Sequence, residues 1–227
     1  MTPNKMLTFS FDDGVTQDKR LVALFNQYGM KATFNLNSRC FSLTGVNRKG
    51  DLVAPHNKID ADEVAGLYAG HEVAGHTLTH PHLENLDDAA VVDEVEQDRI
   101  NLSDLSGQDV VGFAYPYGTF NDRVVDLMTQ KTGVKYARTT HSTYAFDLPA
   151  DPMRLDPTVH VMEFDKLFEL GEAFLSLRAD APRMFYVWGH AYEFDFRDTW
   201  SRFEDFLRLM AGREDIAYVT NREALGV

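Results

Sequence analysis

A single cysteine, Cys40, stands in the 227 residues, so no internal disulfide is available, and a closed structural zinc site rich in thiolates is excluded. The cysteine itself is expected as a small buried packing residue. Basic residues are scarce: 22 Lys and Arg against 35 Asp and Glu give a formal net charge of −13. That balance repels phosphate backbones and anionic membrane surfaces, which removes nucleic acid and membrane as expected partners. It also counts against a polyanionic substrate. No hydrophobic run approaches a membrane span in length. A secretory pattern is missing too, because the apolar run after Lys5 already contains Thr8 and Ser10 and ends in two aspartates. The expected location is therefore cytoplasmic. Repeats and low-complexity tracts are absent. What remains is an ordinary globular composition, 44% hydrophobic and 12% aromatic, in a chain suited to one domain over residues 1–227 with a sizeable core.

The stretch Leu7-Thr8-Phe9-Ser10-Phe11-Asp12-Asp13-Gly14 organises the rest. Its apolar part is short, rich in Phe and Thr, and stopped by a turn residue, the pattern of a buried strand. Adjacent carboxylates repel, so a fold keeps them where something compensates. A bound cation and a solvated Asp-Gly turn are the two readings of Asp12-Asp13-Gly14.

Beyond Gly14, Leu21, Leu24, Phe25 and Tyr28 mark an amphipathic helix closed by Gly29. Lys31–Leu36 reads as a second strand. The polar stretch Ser38–Lys58 is expected as a surface excursion bordering a substrate cleft. Asp60 caps a helix expected to run to Ala69, and Glu72-Val73-Ala74 forms a third, short strand. Residues Asp87–Leu105 carry the longest helical pattern, followed by a strand at Val110–Tyr115, a helix at Asn121–Lys131 and a strand at Lys135–Arg138. Tyr144–His160 is proline-rich and resists assignment. Phe164, Leu167, Phe168 and Phe174 indicate a helix, Met184–Trp188 a strand, Trp200–Met210 a helix and Ile216–Val219 a closing strand. Such alternation predicts a parallel sheet covered by helices. The chemistry-bearing clusters follow strand C-termini, as in a (β/α) barrel or an open doubly wound sheet.

His76 and His80 are spaced to share one face if their segment makes a helical turn, which Pro81 would end. With Asp13 they complete two imidazoles and one carboxylate, a facial set that leaves coordination positions open for zinc, cobalt, nickel, iron or manganese. His82 is a spare ligand or a surface residue. His56, His71, His141 and His160 have no partner at ligand spacing and read as surface or packing residues, although His141 is placed to line the cleft.

Four motifs in order, Phe11-Asp12-Asp13-Gly14, His76-Thr77-x-x-His80, Tyr115-Pro116-Tyr117-Gly118 and Trp188-Gly189-His190, resemble the polysaccharide deacetylases of carbohydrate esterase family four, the NodB-like domain. The resemblance runs from Leu7 to about Val219. It implies a distorted (β/α) barrel of about seven parallel strands and metal-dependent hydrolysis of N-acetyl groups on amino sugars, with zinc as the first choice of metal. By position it makes Asp13, His76 and His80 the metal ligands and Asp12 the general base. The backbone N–H of Tyr117, after Pro116, would receive the oxyanion, and His190 would protonate the departing amine. Trp188 is read as an apolar wall for the acetyl methyl or as a packing residue. A protonated histidine needs a carboxylate beside it; Asp156 is the expected partner, ahead of Glu193 and Asp195.

Two departures stand out. The family usually carries an arginine two residues before Pro116 to orient the base, and this chain has Ala114 there; Arg154 is the expected substitute. The family's motif of paired aspartates and a tryptophan has no recognisable counterpart. Two rival functions follow: hydrolysis of a linear amide or cyclic ureide on the same site, and carbohydrate binding that retains metal without turnover.

Overall fold

The computed structural model describes residues 3–227. In chain order the first elements are β1 (Lys5–Asp12), α1 (Asp18–Gln27), β2 (Thr33–Leu36), β3 (Val46–Lys49), β4 (Leu52–Pro55) and α2 (Val64–Leu67). Next come β5 (Glu72–Gly75), α3 (Asp88–Ser106), β6 (Gly112–Ala114), α4 (Asp122–Lys131) and β7 (Tyr136–Arg138). The last are β8 (Val159–His160), α5 (Phe164–Ser176), β9 (Arg183–His190), α6 (Trp200–Met210), β10 (Ile216–Tyr218) and α7 (Asn221–Leu225).

The main sheet runs β7-β6-β5-β2-β1-β9-β8, every pair parallel. β9 lies along the whole of β1, from Lys5↔Arg183 to Asp12↔His190. The other edge of β1 is shared: β10 pairs with its start and β2 with its end. Leu155 bridges to β7, with its N–H on Ala137 O at 2.9 Å, and the same segment then enters β8 against β9. One extended stretch thus touches both ends of the strand order, which makes the curled sheet a distorted (β/α) barrel, as the resemblance implied, and decides between the barrel and the open sheet that alternation had left as alternatives.

Period-two alternation along β1 separates two environments. Leu7, Phe9 and Phe11 enter the aromatic core beneath the helices. Phe9 meets Phe25 of α1 with ring centroids 4.8 Å apart and Phe203 of α6 at 6.3 Å. Thr8, Ser10 and Asp12 carry polar contacts instead. Thr8 Oγ1 donates to Asn221 Oδ1 at 2.8 Å, and Ser10 Oγ accepts from Asn35 Nδ2 at 2.7 Å. A chain of buried polar groups therefore rises along one face of β1 to Asp12. Each such group is tolerated because it is paired.

The helix expected over Asp87–Leu105 is α3, capped by Asp87 accepting from Ala90 N–H and ended by Gly107 in the left-handed region at φ 70°. The helix expected from Asp60 to Ala69 is shorter. A 3₁₀ turn at Ala61–Glu63 leads into the single turn of α2, whose Gly66 gives propagation little support. Two features were not anticipated. The excursion Ser38–Lys58 contains the antiparallel hairpin β3–β4, and the unassigned Tyr144–His160 contains β8. Among the described residues, no helix is long and apolar enough to cross a membrane.

Candidate active site

The strand ends carry a cavity of about 930 Å³ lined by Asp12, Asp13, His76, His80, Trp188 and His190 among others. Its size is that of a site for a small molecule or a short oligomer. Leu43, Thr44 and Asn47 of the excursion line the same cavity, so that stretch borders the cleft as expected.

Asp13, His76 and His80 bring one donor atom each within 4.8 Å of one another. The backbone that achieves this is strained. Asp13 has φ 84° and is followed by Gly14 at φ 60°. The anticipated helical turn between the histidines does not form: Thr77 and His80 sit at φ 70° and 64°. Pro81 keeps His80 out of the α region, and Thr77 Oγ1 accepts the His80 N–H at 2.9 Å to hold the loop. Positive φ in such residues costs free energy and persists at sites that need it.

His76 donates from Nδ1 to Ala114 O at 2.7 Å, which leaves Nε2 for the cluster, and its own N–H rests on Asp98 Oδ2 at 3.0 Å. Burial pushes the His76 ring down to about 4 and lowers His80 as well, so both are neutral donors near neutral pH. Burial works to raise the carboxyl of Asp13. The His56 hydrogen bond and the charge of Lys58 outweigh it and hold Asp13 well below the usual carboxylate range. His56 Nε2 lies 3.1 Å from Asp13 Oδ2, and Lys58 Nζ lies 3.1 Å from Oδ1 and 2.6 Å from the Asp13 carbonyl. His56 is thus no surface residue.

Asp12 is 2% exposed. Asn35 Nδ2 donates to its Oδ1 at 2.8 Å, and Arg138 Nη2 donates to Oδ2. Burial opposes ionisation here too, but the Arg138 charge prevails and the carboxyl is lowered. Arg154 does not serve: it pairs with Asp151 and Asp122 at the surface. The substitute cation is Arg138, fully buried on β7 directly across from Ala114 of β6, with its guanidinium 4.4 Å over the Trp188 ring.

His190 points Nε2 toward Asp12 Oδ2 at 3.8 Å, and its Nδ1 lies 3.1 Å from Glu193 Oε2. Burial disfavours its charged form, but the hydrogen bond and charge of Glu193, helped by Asp12 and Asp13, raise the ring to about 9. Glu193 is the carboxylate partner. Asp156 instead pairs with Thr139 Oγ1, and Asp195 takes the Trp200 indole N–H at 2.7 Å. His160, expected as a surface or packing residue, lies 3.0 Å from Glu193.

Tyr117, at φ 59°, and Trp188 line the cavity; Pro116 is buried at the start of the 3₁₀ turn Pro116–Gly118 and does not. His82 stacks on Tyr117 at 3.9 Å, outside the Asp13 cluster. His71 packs under α1 as expected, and His141 is exposed and not among the lining residues. Cys40 is only partly buried and lines the cleft, not the core. Arg138, Lys58, His56, Asp98 and His160 escaped the sequence reading. Only Arg138 had a signal, a charge closing an apolar strand at the level of the other clusters.

A sequence model of the polysaccharide deacetylase family matches residues 1–137. No curated protein matches the chain in sequence. Among solved structures, a family 4 carbohydrate esterase from Streptomyces lividans, in complex with acetate, superposes with a TM-score of 0.59 at 17% identity over 95% of this chain and 92% of the other. A family 4 acetyl xylan esterase from Clostridium thermocellum with a cobalt ion gives 0.61 at 14% identity, covering 98% and 91%. A family 4 pseudoenzyme from Bacillus anthracis gives 0.57 at 16% identity, covering 98% and 66%. The structural likeness establishes a common barrel, and the sequence match spans more than half of the chain: it belongs to the polysaccharide deacetylase family.

Proposed function

We propose that the protein is a divalent-metal-dependent hydrolase that removes acetyl from the amide of an N-acetylated amino sugar in an oligo- or polysaccharide. The observation that carries this reading is the convergence of Asp13, His76 and His80 in the cleft that also holds Asp12 and His190. The donor set fits a divalent cation, since both imidazoles are neutral, His76 has Nε2 free of its Ala114 bond, and Asp13 is ionised. Zinc is the first choice, and cobalt, nickel, iron or manganese accept the same set.

When bound, the cation would polarise the acetyl carbonyl and lower the pKa of an attacking water from about 15.7 to about 7. Asp12, ionised and fixed by Asn35 and Arg138, takes the water's proton on Oδ2, the oxygen nearest His76 and His190. His190 donates its Nε2 proton to the departing amine nitrogen. Its protonated form coexists with an ionised Asp12 because Glu193 stabilises the imidazolium and Arg138 the carboxylate. Tyr117 N–H would receive the developing oxyanion, Pro116 shapes that turn, and Trp188 forms a wall for the acetyl methyl.

The test is acetate release from short N-acetylglucosamine oligomers after chelation and after adding back single metals. Release that stops on chelation and returns with one metal supports the reading. Tight metal binding without acetate from any oligomer removes the substrate and turns attention to other amides. Lys58, a cation set against Asp13 Oδ1, favours one second reading, carbohydrate binding without turnover. Calorimetric sugar binding with no hydrolysis on long incubation would support that alternative.

A further inference from the structure

Glu193 Oε2 collects three polar contacts: the His190 backbone N–H at 3.1 Å, His190 Nδ1 at 3.1 Å and His160 Nε2 at 3.0 Å. The tautomer of His160 is set from behind, because its Nδ1 accepts the Met162 N–H at 3.3 Å. Nε2 therefore carries the proton and donates to Glu193. The fold goes to some length to deliver this ring. β8 consists of two residues, and Val161, which follows it, packs so closely on β9 that a Cβ on Gly189 would lie 2.4 Å from Val161 Cγ1. Trp188, the cross-strand partner of His160, walls its ring edge-on at 4.6 Å.

We propose that His160 is a positioning residue for His190: it pins the Glu193 carboxylate so that Oε2 fixes the His190 imidazole with Nε2 turned toward Asp12. Without that donor, one face of Glu193 is unrestrained and its carboxylate can rotate away from His190 Nδ1. The consequence for turnover rests on the deacetylase reading, whereas the ring geometry does not. The three side chains also lie close enough to hold a cation, with donor atoms within 4.8 Å of one another. In these tautomers, however, His160 Nε2 and His190 Nδ1 both carry hydrogen and have no lone pair to give.

The experiment compares the unaltered protein with His160→Ala and His160→Gln, using isotope-labelled histidine for NMR of the ring nitrogens together with kinetics and metal analysis. The wild type should show a protected Nδ1–H on His190. His160→Ala should lose that protection and lower kcat by about tenfold to a hundredfold at unchanged KM and metal content. His160→Gln, whose amide can still donate to Glu193, should recover most of kcat and of the ring signal. Wild-type kcat and an unchanged His190 ring in His160→Ala would overturn the proposal. So would a second divalent ion bound to the wild type and lost from the variant. If the ring signals respond as expected while the wild type releases no acetate, the deacetylase reading fails and the positioning role stands.

Discussion

Arg138 of β7 donates to Asp12 of β1 from the residue directly across from Ala114. The small Ala114 leaves the interior of the barrel open at the point where the Arg138 side chain crosses to Asp12 and stacks on Trp188. Arg138 thus supplies to Asp12, from β7, the positive charge that the resemblance implies at position 114 of β6.

Removing that guanidinium leaves a buried carboxylate without its cation. Arg138→Met should destabilise the fold by about 3–5 kcal/mol in denaturant unfolding and lower turnover by about a hundredfold. The double variant Ala114→Arg with Arg138→Ala should regain part of both losses, because the charge returns to the neighbouring strand. A single variant with full activity would show that Asn35 alone orients Asp12.

Asp12→Asn keeps the volume and removes the proton acceptor. Turnover should fall by at least about a hundredfold while the bound metal, measured by elemental analysis, stays unchanged. Normal acetate release from this variant would strip Asp12 of its role as base.

Lys58 competes with any cation for Asp13, its Nζ lying 3.1 Å from Oδ1. Lys58→Met should therefore tighten zinc binding by about tenfold or more in calorimetric titration, since a repulsive charge next to the ligand is gone. Weaker binding would show that the Nζ contact with the Asp13 carbonyl matters more, by holding the strained turn in shape.

His71 links stability to pH. Ala32 N–H donates to its Nδ1 at 3.2 Å and Asn26 Oδ1 lies 3.2 Å from Nε2, a neutral ring that burial lowers to about 4. The unfolded chain takes up this proton near the ordinary value of 6.5, before the folded one does. The contribution is thus intact above about pH 6.5 and lost as pH falls toward 4, about 3 kcal/mol in all. His71→Gln cannot titrate, so the wild-type stability curve should fall away from the variant's across that window. Parallel curves would exclude His71 as the group responsible.

Local pattern carried much of this far. Phe11-Asp12-Asp13-Gly14 and the strand-ending Trp188-Gly189-His190 were legible because a short apolar run that stops at polar residues has one economical place in a parallel fold, the C-terminal end of a strand. The interval between His76 and His80 was legible as a pair but not as a shape. A helical turn and a left-handed loop both bring such residues together, and the proline that favours the loop lies outside the pair. Within β1, the polar residues Thr8 and Ser10 were visible without their meaning, because only the closed sheet makes that face an interior.

Alternation of strand and helix and the residue types at strand ends determined by themselves a parallel sheet with chemistry at its C-terminal edge and a candidate metal-ligand trio, while the closed barrel and the base and acid roles proposed for Asp12 and His190 came from the resemblance of the four motifs. The tertiary structure alone decided their partners: Arg138 rather than Arg154 on Asp12, Glu193 rather than Asp156 on His190, His56 and Lys58 on Asp13, and His160 behind Glu193. The reason is physical. Periodicity reports which face of its own element a side chain takes, whereas a partner is selected by strand order, register and barrel closure, and these bring together residues as far apart in sequence as Asp12 and Arg138.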